Sequence, residues 1–346
     1  MKFYLCHPLD IMIKFGVIGF GHIGKRHAEM VMRNEQAQLV AVCDIKDHSN
    51  TFNVPGYTDA SAMLAAHPEL DVVCICTPNG SHAEYALMAL KNQKHVVIEK
   101  PLALNRPDCE KLIFTALRVN RQVFCVMQNR YSPPSVWIKQ LIASGKLGRI
   151  FMVNVNCYWN RDDRYYKKGG WKGQLNDDGG TLFTQFSHFI DIMYWLFGDI
   201  TNVQSKFSDF NHEASTQFED SGVVLFDFVN GGMGSINFTT SIWDTNFESS
   251  LTIIAENGTI KLGGQYMNEV SYCHVKDYVM PELPPSNPAN DYGHYKGSAA
   301  NHVYVIDNVV DTLKGKTNIS TNALEGLKVV EIIEQIYQSG NRPLKS

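Results

Sequence analysis

Short apolar runs alternate with amphipathic segments of helical length between residues 13 and 127. The five runs are IKFGVIG, AQLVAVCD, DVVCICTP, KHVVIEKP and QVFCVM. The helix candidates between them span residues 23–33, 60–66, 81–91 and 106–118. Near-continuous apolar strands separated by helices are typical of a parallel sheet that is covered on both faces. The pattern therefore predicts an α/β domain with a doubly wound parallel sheet over residues 12–128.

The hydrophobic pattern changes after about residue 150. Strand-like stretches then follow one another with Gly and Asn turns: FMVNVNCYW, SGVVLFDF, GGMGSINFTT and SLTIIAENGTIKL. One long apolar helix candidate, residues 181–197, precedes most of them, and the proline-rich residues 281–291 are expected to form a loop. Residues 129–346 are thus predicted to form an α+β domain with a large, mostly antiparallel sheet, whose last helices pack back on the first domain.

The first eleven residues precede the first predicted strand and are interrupted by His7, Pro8 and Asp10. We hypothesise that residues 1–11 are an extension outside the fold. Elsewhere no apolar stretch reaches the ~18 to 20 residues of a membrane span. We therefore expect a cytoplasmic protein without a membrane partner.

Composition narrows the function classes. The 346 residues are 44% hydrophobic and 19% charged, with a net charge of −4, which describes a globular chain of two domains. Nucleic-acid binding would require a strongly basic face, so a small-molecule partner is expected instead. The eight cysteines show no metal-binding spacing, and we predict reduced core thiols and no metal site.

The first chemical motif is VIGFGHIGKRH, in which Gly19, Gly21 and Gly24 have the GxGxxG spacing between a strand and a helix. Such a turn lets a pyrophosphate approach the N–H groups at the positive end of the helix. Asp44 follows 25 residues after Gly19, at the end of the second run, and can accept hydrogen bonds from the adenosine ribose. Its carboxylate would repel a 2′-phosphate, so NAD is favoured over NADP. The turn residues expected to hold the dinucleotide are Gly19, Phe20, Gly21, His22, Ile23 and Gly24.

The ends of the later strands supply further cofactor candidates, because ligands of doubly wound sheets bind outside the carboxyl ends of the strands. Thr77, Asn79 and His82 follow the third run. Gln128 follows the fifth run, and the flat ring of Trp171 suits stacking on a base or on nicotinamide.

The fourth run ends in Glu99, Lys100 and Pro101. With the glycine motif, this segment resembles the glucose-fructose oxidoreductase, inositol dehydrogenase and rhizopine catabolism (Gfo/Idh/MocA) family over nearly the whole chain. The resemblance implies that Lys100 contacts the substrate hydroxyl, that Glu99 supports it, and that the Lys100–Pro101 bond is often cis. Oxidation of a secondary alcohol requires loss of the hydroxyl proton. Either Lys100 takes this proton or it polarises the oxygen for another base.

The segment DDGGTLFTQFSHFIDIMYWLFG matches a second pattern of the family. On an α-helix that starts near Thr181, Thr184, His188 and Asp191 share one face. The resemblance makes His188 a catalytic residue that contacts the reacting hydroxyl. Polyol-oxidising members usually carry Asp where this chain has Thr184, which cannot act as a general base. A triad of lysine, aspartate and histidine is therefore in doubt, so the chemistry falls to Lys100 and His188, with Thr184 supporting.

Residues 160–173 carry five cations against two acids. This local excess, with Arg130 nearby, indicates an anionic substrate, because arginine suits two-pronged contacts with carboxylate or phosphate. The expected substrate contacts are Lys100, Arg130, Tyr158, Arg164, Tyr165, Lys172, Gln185 and His188.

The WKG and YWLFG segments and the non-acidic residue 184 are most similar to family members that oxidise UDP-N-acetylglucosaminuronate at the sugar 3-position. Two alternatives stay open: a neutral polyol or sugar dehydrogenase of the inositol type, and an NAD-binding regulator without turnover. Intact Lys100 and His188 argue against the regulator. The resemblance also implies a homodimer or homotetramer that pairs through the sheet of the second domain.

Overall fold

The structure is a computed structural model that describes residues 12–48 and 51–345. The hypothesised extension, residues 1–11, lies outside the described residues. In the described part, no helix combines the length and apolar character needed to cross a bilayer.

The first domain is built on six parallel strands with the order β3-β2-β1-β4-β5-β6. The strands are β1 (Ile13–Ile18), β2 (Ala37–Cys43), β3 (Gly56–Tyr57), β4 (Val72–Ile75), β5 (His95–Ile98) and β6 (Val123–Cys125). Their helices are α1 (His22–Arg33), α2 (Ala60–Ala66), α3 (His82–Lys91) and α4 (Arg106–Val119). This confirms the predicted doubly wound sheet and adds the two-residue β3. The strand order reverses between β1 and β4, which creates the crevice where such folds bind ligands.

Local sequence explains where these helices begin. Asn105 caps α4 by accepting a hydrogen bond from the Asp108 backbone N–H at 2.9 Å, and Pro107 occupies the first turn. Helix α1 differs, because its N-cap is Gly21 and no side chain caps it. The N–H groups of its first turn are therefore available to an anion.

The second domain contains a seven-stranded sheet with the order β13-β12-β11-β7-β10-β9-β8. Its strands are β7 (Ile150–Tyr158), β8 (Ile200–Ser208), β9 (Ser221–Phe228), β10 (Met233–Thr239), β11 (Glu248–Ala255), β12 (Gly258–Gly263) and β13 (Glu269–Val275). Every pair is antiparallel except β7 with β10, which confirms the predicted sheet. The other elements are α5 (Pro133–Ala143), α6 (Leu175–Asp178), α7 (Ser187–Phe197), the hairpin β14 (Ala289–Asp291) and β15 (Lys296–Ala299), α8 (His302–Leu313) and α9 (Ala323–Gln338).

Two local expectations need correction. The predicted helix over residues 181–197 is not one α-helix, because a π-helical turn, Leu182–Phe186, precedes α7. Such turns are rare in proteins, and those that occur often lie at functional sites. The proline-rich segment 281–291 also does not end as a plain loop, because its last residues form β14.

The C-terminal helices pack against the first domain. Val305, Ile306 and Val309 of α8 join Phe15 and Val17 of β1 in one buried cluster. The α9 helix begins with a capping box and packs on α4 and β6. The seven cysteines within the described ranges are all free, and five of them are buried.

Candidate functional site

A cavity of about 920 Å³ lies at the carboxyl ends of β1, β4 and β5, between the two domains. We call it the groove. Both domains line it, and the β14–β15 hairpin contributes Tyr292 and Tyr295. The predicted site residues found in its lining are Gly19, Phe20, Gly21, His22, Ile23, Asp44, Thr77, Asn79, His82, Glu99, Lys100, Gln128, Tyr165, Trp171, Lys172, Thr184, Gln185 and His188.

The three motif glycines are required for three different reasons. Gly19 has φ +87°, and a Cβ there would lie 2.5 Å from the Cys76 carbonyl carbon. A Cβ on Gly24 would lie 1.9 Å from the Gly19 oxygen, so this position fixes the helix against the strand. A Cβ on Gly21 would meet nothing within 4 Å. The open space above Gly21, at the uncapped start of α1, is where a pyrophosphate fits.

Asp44 lies where the adenosine ribose is expected. Its Oδ2 accepts from the Phe20 N–H at 2.6 Å and its Oδ1 from the Lys46 N–H at 3.0 Å. These bonds fix the carboxylate beside the glycine turn, and each oxygen keeps accepting capacity for a ribose hydroxyl.

Several buried polar atoms along the groove have no hydrogen-bond partner among the described residues. They include Gln128 Oε1, His188 Nδ1 and His302 Nδ1. Unpaired buried polar atoms are rare and need a partner such as a ligand. Together with the space above Gly21 and the position of Asp44, they show that the groove fits a dinucleotide.

Asn79 and His82 line the groove and also connect its walls. His82 Nδ1 lies 2.7 Å from the Pro101 oxygen, and its Nε2 lies 3.0 Å from the Thr77 oxygen. The Asn79 amide donates to the Asp178 carbonyl at 2.9 Å and to Thr184 Oγ1 at 2.7 Å. Their contact with the cofactor stays a prediction, whereas this bridging is part of the structure.

Glu99 is buried and pairs with histidines rather than with Lys100. His27 Nε2 lies 2.8 Å from Glu99 Oε1, and His302 Nε2 lies 3.4 Å from the same oxygen. Burial raises the pKa of Glu99, but its hydrogen bond with His27 and the neighbouring His302 imidazole outweigh this and hold the pKa well below 4.5. Burial also disfavours the charged form of His27, and the neighbouring Cys74 and Glu99 nevertheless raise its pKa to about 10. The three side chains are close enough to ligate a metal, but this ion pair already explains their arrangement.

Among the residues that the structure describes, no carboxylate forms an ion pair with Lys100. Its Nζ donates to the Thr184 carbonyl oxygen at 2.5 Å, and the Lys100–Pro101 bond is cis, as the resemblance implied. Burial lowers the pKa of Lys100 and nearby Arg161 adds to this, while Glu99 and Asp178 oppose it. The net shift is downward, so the ammonium group of Lys100 releases its proton more readily than that of a free lysine.

His188 faces the same part of the groove and is 2% exposed. Burial, and then the charge of Lys100, lower its pKa well below 6.5. The imidazole is therefore neutral, with one ring nitrogen able to donate and the other able to accept a hydrogen bond.

The Thr184 hydroxyl contacts a carboxylate that the sequence analysis did not identify. Thr184 Oγ1 donates to Asp178 Oδ1, and the Gly173 N–H donates to Asp178 Oδ2 at 2.9 Å. Asp178 is 1% exposed. Burial raises its pKa to about 6, although Thr184, Gly173 and two lysines oppose the shift.

A second group of cations lies among aromatic rings of the groove. Arg161 is 2% exposed and lies 4.7 Å from the Trp159 ring centre and 5.1 Å from those of Tyr165 and Tyr295. It donates to neutral oxygens only, including Gln185 Oε1 at 2.7 Å. Lys172 Nζ lies 3.7 Å from the Tyr165 ring centre and 3.1 Å from the Tyr295 hydroxyl. Within residues 12–48 and 51–345, neither cation forms an ion pair with a carboxylate.

Three predicted substrate contacts do not line the groove. Arg130 is buried in a bidentate pair with Asp191 at 2.6 and 2.8 Å and also contacts Glu325. The structure thus places the guanidinium of Arg130 in the core, paired with two carboxylates and away from the lining of the groove.

The other two lie on outer surfaces. Tyr158 projects from the open face of β7, where it stacks against Phe247. Arg164 is exposed and pairs with Asp162 and Asp244, so the charge of this loop residue is neutralised locally. Two other predicted site residues, Gly24 and Pro101, also do not line the groove.

Sequence reasoning missed Arg161, Asp178, His302 and the two hairpin tyrosines. Arg161 was counted among the loop cations, yet nothing in its spacing separated it from Arg164. Asp178 directly precedes the glycines of the catalytic segment, and that position was the available signal. His302, Tyr292 and Tyr295 lie more than 100 residues beyond His188, so only the fold brings them to the groove.

Comparison with known proteins agrees with this arrangement. Residues 13–127 match the model of an oxidoreductase family with an NAD-binding Rossmann fold, and residues 136–261 match the model of the GFO/IDH/MocA C-terminal domain. A glucose-6-phosphate 3-dehydrogenase from Bacillus subtilis is 30% identical over 224 residues, which are 63% of this chain and 63% of that protein.

Two solved structures match nearly the whole chain. The WlbA dehydrogenase from Bordetella pertussis, in complex with NADH and UDP-GlcNAcA, is 30% identical with a TM-score of 0.82, covering 97% of this chain and 99% of that one. The WlbA dehydrogenase from Chromobacterium violaceum, with the same ligands, is 29% identical with a TM-score of 0.84, covering 97% and 96%. The chain therefore belongs to the Gfo/Idh/MocA oxidoreductase family and is an NAD-dependent dehydrogenase.

Proposed function

We propose that the protein oxidises a secondary hydroxyl of an anionic sugar nucleotide of the UDP-N-acetylhexosaminuronate class. The observation that carries this proposal is a pair of cations on the second-domain wall of the groove, the buried Arg161 and the half-buried Lys172. A buried charge without a counter-ion is costly, and a bound carboxylate or phosphate would compensate it.

The surroundings of these cations favour a sugar acid over a neutral polyol. Burial and the nearby Arg161 charge lower the pKa of Lys172 to about 8, so an anionic ligand would restore its full positive charge. The tyrosines around it offer flat rings suited to a sugar or a base. The WlbA structures support the same class, because both contain bound UDP-GlcNAcA.

The site also suggests how the chain handles the hydroxyl proton. Bound NAD supplies the hydride acceptor. Lys100, with its lowered pKa, takes up the proton of the substrate hydroxyl. His188 is a poor proton acceptor because its pKa lies well below 6.5, so it positions the hydroxyl through a hydrogen bond. Because Glu99 pairs with His27, its carboxylate is next to Lys100 in the chain but does not form an ion pair with the lysine.

The substrate class is tested by NADH fluorescence with four matched substrates: UDP-N-acetylglucosaminuronate, UDP-N-acetylglucosamine, glucose 6-phosphate and myo-inositol. The first two differ only at the carboxylate, and turnover is expected with the uronate. Lys172→Met should raise KM for the uronate about tenfold, the equivalent of about 1.4 kcal/mol. Preference for myo-inositol, with KM insensitive to Lys172→Met, would favour the neutral polyol dehydrogenase.

The catalytic roles are tested on the substrate that responds. Lys100→Ala and His188→Ala should lower kcat by ~10² to 10⁴ while NADH still binds. Because Lys100 must lose its proton to act, wild-type kcat should rise with pH, and small primary amines should partly restore Lys100→Ala. Wild-type turnover in both variants contradicts the assignment, and stoichiometric NADH formation without further turnover in the wild type would indicate a regulator.

A further inference from the structure

The resemblance to polyol-oxidising relatives places a carboxylate at position 184, where this chain has a threonine. The structure nevertheless contains a carboxylate next to that position. Asp178 is the last residue of α6, and its Oδ1 accepts the hydrogen bond of Thr184 Oγ1. The acidic group is thus supplied from six residues earlier in the chain and reaches the site through the threonine hydroxyl.

Thr184 connects this carboxylate to Lys100. Its hydroxyl contacts Asp178, and its backbone carbonyl accepts from Lys100 Nζ at 2.5 Å. Asn79 holds the same unit from the first domain, since its amide donates to the Thr184 hydroxyl and to the Asp178 carbonyl. Movement of the Asp178 side chain would therefore move the carbonyl that orients the ammonium group.

We propose that Asp178 is a positioning residue, which orients Lys100 through Thr184 and takes the place of the acid absent from position 184. This inference rests on the proposed role of Lys100 and not on which sugar is oxidised. Its carboxylate also supplies negative charge to the two lysines of the groove.

The charged and titratable groups around Asp178 come from several segments. Lys100 comes from the end of β5, Lys172 from the loop before α6, and Tyr165 and Tyr166 from the segment after β7. Burial raises the pKa of Asp178 to about 6, whereas burial and the nearby Arg161 lower that of Lys172 to about 8. Ionised Asp178 raises the pKa of Lys100, so the proton affinity of Lys100 depends on the state of Asp178.

The test uses Asp178→Asn, which keeps the side-chain shape and an oxygen acceptor for Thr184 but removes the charge. Its control is Asp177→Asn, because Asp177 is the exposed neighbour in the same short helix. The rate of Lys100 acylation is measured against pH by mass spectrometry, with NADH bound and no substrate. We expect the midpoint, the pH at which acylation is half-maximal, to fall by up to about one unit in Asp178→Asn and to stay unchanged in Asp177→Asn.

Activity provides the second readout. In Asp178→Asn, kcat should fall about tenfold, its dependence on pH near 6 should disappear, and KM should change little. Thr184→Val should lower kcat similarly, and Thr184→Ser should restore it, because serine keeps the hydroxyl. If Asp178→Asn does not fold, the comparison of Thr184→Val with Thr184→Ser decides the question.

Distinct results separate the two proposals. Normal turnover in Lys100→Ala would overturn the catalytic assignment. Loss of activity in Lys100→Ala, together with unchanged Lys100 labelling and an unchanged pH profile in Asp178→Asn, would overturn only the role of Asp178. A loss of NADH binding in Asp178→Asn, with the Lys100 midpoint unaltered, would show a purely structural role and would also overturn it.

Discussion

Glu99 and Lys100 are adjacent in the chain, yet the structure gives them opposite electrostatic environments. Glu99 faces His27 and His302 and is held as a carboxylate. Lys100 donates to the Thr184 carbonyl oxygen, while burial and the charge of the neighbouring Arg161 lower the pKa of its ammonium group. The two charges at one strand end are thus held in different ways, Glu99 by the two histidines and Lys100 by the Thr184 carbonyl oxygen.

A substitution at Gly21 should weaken cofactor binding without affecting the stability of the fold. Gly21→Ala places a methyl group in the space where the pyrophosphate fits, and the backbone at φ −73° accepts alanine. We expect NADH affinity to fall about tenfold or more, the equivalent of at least about 1.4 kcal/mol, with thermal stability of the free protein unchanged. Fluorescence titration with NADH and thermal unfolding measure the two effects.

Gly24→Ala is the matched comparison, because its Cβ would overlap the Gly19 carbonyl oxygen. It should destabilise the free protein by about 1 to 3 kcal/mol. Normal NADH affinity in Gly21→Ala would mean that the dinucleotide does not approach the start of α1.

The limits of sequence reasoning also appear at single residues. Glycine spacing and strand ends located the cofactor residues, because their position along the chain fixes their position on the sheet. Arg130 was expected at the groove but is paired in the core, and its carboxylate partners lie 61 and 195 residues away in the chain. Whether an arginine faces a cavity or an internal acid depends on tertiary packing that no local pattern contains.

Among the elements, long periodic segments were predicted closely and short irregular ones were not. The candidate over residues 81–91 corresponds to α3 (His82–Lys91), and that over residues 23–33 to α1 (His22–Arg33). β3 has two residues and no detectable period. The π-helical turn before α7 lies inside a continuous apolar segment, where an α-helix and a π-helix have the same composition.

Three segments meet at Glu99, which directly follows β5: the other two are α1, through His27, and α8, through His302. His27→Ala would leave the Glu99 carboxylate without its closest partner in the core. We expect a loss of about 3 to 5 kcal/mol in the free energy of unfolding, measured by urea denaturation. Alanine favours helix, so α1 itself should not be weakened.

The pH dependence of this loss of stability follows from the pKa shifts of Glu99 and His27. Glu99 has a depressed pKa, so its contribution is present above its ordinary value of 4.5 and is lost as pH falls through the depressed value. The pKa of His27 is raised, so its contribution is full below 6.5 and disappears as pH rises through about 10. The difference between wild type and His27→Ala should therefore be largest between pH 4.5 and 6.5. A difference independent of pH would contradict the ion pair, and Arg149→Ala, which breaks an exposed pair, is the control.

On the scale of the whole molecule, the two domains share one site rather than only touching. The first domain supplies the glycine turn and Lys100, and the second supplies His188, Arg161 and the hairpin tyrosines. The helices α8 and α9 then return to the first domain. This connection places the C-terminal part of the chain in the same folding unit as the cofactor site.

The open face of the seven-stranded sheet leads to the last prediction. Its exposed apolar side chains are Met152, Val223, Leu225, Met233 and Ile254. Strand pairing places Met233 beside Met152, and Met152 beside Ile254, so these three side chains are contiguous, while Leu225 pairs with Ser235, two residues along β10 from Met233. Large exposed apolar faces usually mark an interaction site. We expect a second copy of the chain to cover this face in a homodimer or homotetramer.

Sedimentation velocity at micromolar concentration tests this assembly. The wild type should sediment as a dimer or tetramer, and Leu225→Lys should shift it towards monomer, because a buried unpaired ammonium is costly. Leu117→Lys, at an exposed leucine of α4, is the matched control and should leave the assembly intact. Since the groove is formed within one chain, the monomeric variant should still bind NADH. A wild type that sediments only as a monomer would mean that the sheet face is exposed to solvent, and the expected assembly would be wrong.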